Sequence, residues 1–114
     1  MPTLKIQTNV QIPAAERKRI LETASARVAD ILGKPERYVM VILQTNPGML
    51  FAGDGAPLAY LELTSLGLPD NATPGLSAAL CGFMEEHFGI SPARIYVKFT
   101  SPPRHMFGWN GGTF

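Results

Sequence analysis

The chain has 114 residues, 46% of them hydrophobic and 17% charged, enough to bury about two-thirds of its unfolded surface as one globular domain over 1–114, with no room for a second. Ten basic against nine acidic side chains leave a net charge of +1, and no dense Lys/Arg run supplies a footprint for nucleic acid or an anionic membrane, so the expected partners are neutral, small or protein. The lone Cys81 forms no internal disulfide, no Cys/His cluster has metal-ligand spacing, and no apolar run or basic leader reads as a membrane span or signal peptide; a cytoplasmic protein without metal or cofactor is expected.

The opening "MPTLKIQTNV" places Pro2 directly before a period-2 strand in which Leu4 and Ile6 alternate with Lys5 and Gln7. Initiator methionine is generally trimmed before proline, which would leave Pro2 as a free secondary amine. Proline is also welcome at the first position of an edge strand, so its place alone does not decide between chemistry and structure. From Pro13 through Gly33, Ile20, Ala24, Val28 and Leu32 recur every fourth residue, with Ile31 alongside, as in an amphipathic helix closed by glycine. A proline turn then leads into a second strand in "PERYVMVIL", as Pro92 does in "PARIYVKFT", and the nearly unbroken apolar run "YVMVIL" suits burial on both faces.

The second half repeats this plan. "LELTS" alternates Leu61 and Leu63 against Glu62 and Thr64, and Leu61 lies 57 positions after Leu4. Leu76, Leu80, Met84 and Phe88 repeat the helical stripe and Gly89 repeats the stop, with Thr73-Pro74 read as an N-cap and first-turn proline. "PARIYVKFT" is the fourth strand. Cys81 lies on or beside the second stripe as a small buried hydrophobe. Two β-α-β units predict a two-layer α/β (α+β) fold: a four-stranded mixed sheet with both helices on one face. The other face would be bare, which implies self-association. "AGDGAP" links the halves, and the aromatic tail "SPPRHMFGWNGGTF" is expected to pack against a neighbour.

"MPTLKIQTNV", "GKPERYVMV", "LTSLG", "LCGFMEEHFGISPARIYVKF" and "FGWNGGTF" follow the order and spacing of the macrophage migration inhibitory factor family within the tautomerase superfamily, which the chain resembles along essentially its whole length. The resemblance implies a homotrimer whose sheets wrap into a central barrel with sites between subunits. It also implies keto–enol tautomerisation of phenylpyruvate-like or dopachrome-like compounds, small aromatic α-keto acids among them, with Pro2 as catalytic base. Such a base must be free near neutral pH, and an α-amino group titrates near 7.7 to 8, lowered further by burial and by a nearby cation.

Lys34 matches the family's lysine beside that proline, where it would hold the substrate carboxylate; as a bare sequence feature it reads equally as a lysine at a helix C-terminus. The resemblance further places Tyr38 and Trp109 in the pocket wall, Phe114 near them, and Leu66 with Ser65 in a turn whose backbone approaches substrate. Each aromatic could equally serve as interface core. Tyr96 would reach the site from a neighbouring subunit. Lys98 replaces an asparagine of the vertebrate cytokines, a second cation that would either strengthen carboxylate binding or alter which aromatic ring is accepted, and Phe107 replaces a smaller aliphatic residue and would narrow the pocket mouth. The cytokines' Cys-x-x-Cys is matched by Leu58 and Leu61, which carry no thiol, and the associated redox activity is not implied. His87 and His105 are assigned to surface or packing roles. The alternative to an enzyme is a cytokine-like interaction molecule with a vestigial pocket.

Overall fold

The structure, a computed structural model, describes residues 1–114. In chain order it contains β1 (Thr3–Thr8), α1 (Ala14–Leu32), β2 (Met40–Thr45), β3 (Ala59–Thr64), α2 (Thr73–Phe88) and β4 (Ile95–Thr100), followed by a short hairpin of β5 (Gly108–Trp109) and β6 (Gly112–Thr113). The sheet order is β2-β1-β3-β4. Each β-α-β unit closes a parallel pair, β1 with β2 and β3 with β4, and the units join antiparallel through β1 and β3.

Strand alternation decides what each face meets. Leu4 and Ile6 of β1 with Ala59, Leu61 and Leu63 of β3 are buried beneath the helices, joined by Val41, Leu43, Val97 and Phe99. From α1 the buried residues are Ile20, Ala24 and Val28, and from α2 Leu76, Leu80, Phe83, Met84 and Phe88. Removing these side chains from water is the main stabilising contribution, about 1.5–3 kcal/mol for each large one. Cys81 rests half-buried against this core.

The second face carries no helix. By register its rows are Met40–Thr3–Thr64–Thr100, Ile42–Lys5–Glu62–Lys98 and Gln44–Gln7–Tyr60–Tyr96. It is bare as expected, yet polar over most of its area. The Tyr60 hydroxyl donates to Glu62 Oε1 at 2.8 Å, and that bond is the main cause pushing the phenol above its ordinary pKa.

Two local expectations are corrected. The apolar run of β2 is an edge strand, with Met40 59% exposed within the chain, so its hydrophobicity reflects surface left open by one chain. The proline turns expected at 35 and 92 are present as 3-10 turns, Glu36–Tyr38 and Pro92–Arg94, and the strands follow them. Thr73 is not the N-cap: the 3-10 turn Asp70–Ala72 runs straight into α2, so Thr73 is already helical and its hydroxyl donates back to the Asp70 carbonyl. No helix is long and apolar enough to cross a membrane.

Candidate active site

The site forms where β1 begins and α1 ends. The α1 helix stops at Gly33, whose φ of 63° lies in the left-handed region that glycine enters without steric cost. The Gly33 N–H donates to the Asp30 carbonyl and the Lys34 N–H to that of Ala29, a Schellman-type closure that fixes the Lys34 backbone. From there the lysine side chain reaches the turn after β3. Its Nζ donates to Ser65 Oγ at 2.8 Å and to the Leu66 carbonyl oxygen. Both turn residues are buried, so Lys34, Ser65 and Leu66 form one rigid unit.

Pro2 is fully buried beside this unit, and its carbonyl accepts from the Met40 N–H at 3.0 Å. The amine of Met1, one residue before it, is held below the usual α-amino pKa, first by burial and then by the charges of Lys34 and Arg104. Lys34 is likewise depressed, by burial and then by Arg104. A basic group placed here therefore releases its proton more readily than in water.

The amine end opens onto a cavity of about 220 Å³ lined by Met1, Thr3, Tyr38, Phe107, Trp109 and Phe114, among others. Tyr38 meets Trp109 edge-on at 5.7 Å, Trp109 stacks on Phe114 at 5.7 Å and 10°, and Phe107 lies 5.9 Å from Phe114. The tail thus packs on Tyr38 of its own chain. The β5–β6 hairpin turns it back, and Arg104 Nε donates to the Phe114 carbonyl at 3.1 Å. Trp109 remains 56% exposed, so the aromatic wall stands open to a ligand.

Tyr96 and Lys98 are not brought to this cavity within one chain. Both lie on the open face of β4, and Tyr96 packs on Phe51 at 4.9 Å beside a separate apolar cavity of about 380 Å³. The larger cavity holds no titratable group other than tyrosine. The smaller one, beside the perturbed amine, is the better candidate for chemistry. His87 leaves its Nε2 without a hydrogen-bond partner and rests its ring 4.6 Å from Phe83; His105 is exposed.

Sequence reasoning missed Arg37 and Arg104. Arg37 lines the cavity with its guanidinium 4.7 Å over the Tyr38 ring, and Arg104 acts on both the amine and Lys34. The signal available was a cation within three residues of a recognised pocket position, Arg37 beside Tyr38 and Arg104 before Phe107, which is indistinguishable from ordinary surface charge until the tail folds back.

The chain matches the macrophage migration inhibitory factor (MIF) family across residues 1–114. It is 32% identical to rat macrophage migration inhibitory factor over 115 residues, covering 100% of this chain and 99% of the relative. It is 30% identical to D-dopachrome decarboxylase-B of Xenopus laevis, covering 97% and 95%. Among solved structures, the homologue from Prochlorococcus marinus superposes with a TM-score of 0.91 at 39% identity over 98% of each chain.

Proposed function

The chain belongs to the macrophage migration inhibitory factor family, and we propose that it is a tautomerase for phenylpyruvate-like or dopachrome-like acids, with Pro2 as general base once Met1 is removed. The observation that carries this reading is the buried Pro2 beside Lys34, at an N-terminus whose amine is depressed by burial and two cations and which opens onto an aromatic cavity. The Pro2 nitrogen takes the proton from the carbon next to the ketone. The electron pair moves to the carbonyl oxygen, and that oxygen is then protonated, so the product is an isomer and no co-reactant is consumed. Lys34, anchored on Ser65 and Leu66 with one N–H still free, receives the substrate carboxylate. Tyr38, Phe107, Trp109 and Phe114 take the ring.

The working form is proposed to be a homotrimer. The apolar edge strand β2 and the exposed Met40, Leu50 and Tyr96 support it, because a long apolar edge without charge or proline is a liability unless another chain covers it. Tyr96 and Lys98 then come to the cavity from the adjacent subunit, Tyr96 donating its hydroxyl to the ligand and Lys98 adding a cation. Sedimentation near the mass of one chain at micromolar concentration overturns the trimer.

The test of the function is a tautomerase assay with phenylpyruvate on protein lacking Met1, beside a Pro2→Gly variant. Turnover lost with Pro2 supports the reading. Equal turnover by the two proteins, or full activity with Met1 attached, removes Pro2 as base. No turnover by any form leaves the interaction molecule as the better account.

A further inference from the structure

Charge around the candidate site is out of proportion to the chain. The molecule carries a net charge of only +1, and every Lys or Arg ion pair it makes lies on the helices: Lys18 with Glu22, Arg19 with Glu16, and Arg27 with Glu86. Lys34, Arg37 and Arg104 appear in none of them. Glu36, next to Arg37 in the turn, is exposed and makes no ion pair. None of the three pairs with an acidic side chain: Arg37 lines the small cavity, Arg104 holds Phe114 of its wall, and Lys34 and Arg104 act on the amine that opens onto it.

They are not equivalent. Lys34 is held at the buried turn by Ser65 and Leu66. Arg37 lies on the cavity wall, its guanidinium 4.7 Å over the Tyr38 ring, with no hydrogen bond to any protein acceptor, so its donors are all available. Arg104 spends Nε on the carbonyl of Phe114, which itself lines the cavity, leaving its two terminal nitrogens free. A guanidinium with free paired N–H groups matches a carboxylate in bidentate geometry, which a lone ammonium does not. One monocarboxylate bound at Lys34 satisfies one of these cations and leaves the two guanidiniums with free terminal donors.

We infer that the cavity is built for a dianion: an aromatic α-keto acid whose carboxylate goes to Lys34 and whose ring carries a second anionic group received by Arg37 and Arg104. This inference rests on the tautomerase reading for the reacting end of the ligand and goes beyond it at the far end. The depression of both the N-terminal amine and Lys34 by Arg104 agrees with it, since bound negative charge relieves the repulsion among these cations.

The experiment compares 4-carboxyphenylpyruvate with phenylpyruvate as substrates of the Met1-free protein. In parallel, 4-carboxycinnamate and cinnamate are titrated calorimetrically as ligands that cannot tautomerise. The expected result is a kcat/KM ratio favouring the dianion by about tenfold or more at low salt, the least that one added charge-assisted contact brings, and shrinking as salt screens it. Arg37→Ala lowers that ratio about tenfold, Arg37→Lys restores part of it, and Arg37→Ala with Arg104→Ala abolishes it. Equal kcat/KM for the two acids, or a ratio indifferent to both arginines, overturns the dianion subsite. If phenylpyruvate is not turned over while 4-carboxycinnamate still binds more tightly than cinnamate through Arg37, the subsite stands and the tautomerase reading falls. Equal binding of the two cinnamates overturns the subsite whatever the turnover.

Discussion

The two β-α-β halves spend equivalent residues differently. Gly33 and Gly89 close their helices at φ 63° and 68°, proline follows in each, and Arg37 and Arg94 sit at matching places in the 3-10 turns that lead into β2 and β4. Arg94 uses its guanidinium as a clamp: Nε donates to the Pro57 carbonyl at 3.0 Å, Nη1 to Phe51 at 3.3 Å, and Nη2 to Asp54 and Ala56 at 2.9 and 3.1 Å, with the Phe51 ring 5.3 Å away. Arg37 has the same chemistry and no acceptor. One half satisfies its polar groups internally, while the other leaves Lys34 and Arg37 with donors to give to a ligand. A repeat that folds twice by the same rules can therefore commit one copy to stability and free the other for binding.

The largest expected effect breaks the first half at its reacting end. Pro2→Gly keeps an amine but changes its basicity and position, and kcat should fall by about a hundredfold, within the range attributed to a positioned general base. Tm should fall by only a few degrees, because the ring lost is buried but small. A melting shift as large as the activity loss would make Pro2 structural.

Next comes the clamp. Arg94→Ala leaves four loop carbonyls without their charged donor, and about 2–3 kcal/mol of stability should be lost, roughly 10–20 °C in Tm for a domain of this size. Arg37→Ala should cost no more than about 1 kcal/mol, the worth of its one exposed contact with the Tyr38 ring. Urea unfolding of the two variants side by side reads the difference. Equal losses would erase the contrast between the halves.

A third measurement separates binding from basicity at Lys34. Lys34→Ala should raise KM for α-keto acids about tenfold while sparing their methyl esters, since only the acid loses a charge-assisted contact. The same change removes a positive neighbour that now depresses the N-terminal amine. The amine pKa then rises, more of the base is protonated at a given pH, and the acid limb of kcat/KM moves upward. Acid and ester affected alike, with a stationary limb, would return Lys34 to the role of a helix-end lysine.

Strand alternation and the i, i+4 stripes made the mixed sheet and both helices legible in the sequence, because periodicity reports which side of an element is dry. Edge position was not legible. The run Val39 to Leu43 is as apolar as a central strand, and nothing local distinguishes surface covered by a helix from surface left open by a single chain. Pro2, Lys34 and the tail aromatics were found through family resemblance. Arg37 and Arg104 escaped because a cation's meaning depends on whether a carboxylate or carbonyl lies nearby, and that is settled by how the tail folds back.

The smallest effect tests whether the equivalence of the halves is real. At Gly33 and Gly89 an added Cβ would meet no atom within 4 Å, so an alanine is opposed only by the positive φ, about 1 kcal/mol at either site. The two helix ends differ in how the chain beyond the glycine is held. The Gly89 N–H makes a single bond to Glu85, whereas the Gly33 closure also fixes the Lys34 N–H on Ala29. Gly33→Ala and Gly89→Ala should therefore lower Tm by the same few degrees, while only Gly33→Ala raises KM for an α-keto acid, severalfold, by displacing the ammonium from Ser65 and Leu66. Matched Tm losses with matched KM values would mean that the Lys34 side chain finds its place through Ser65 and Leu66 alone, independently of how the helix ends.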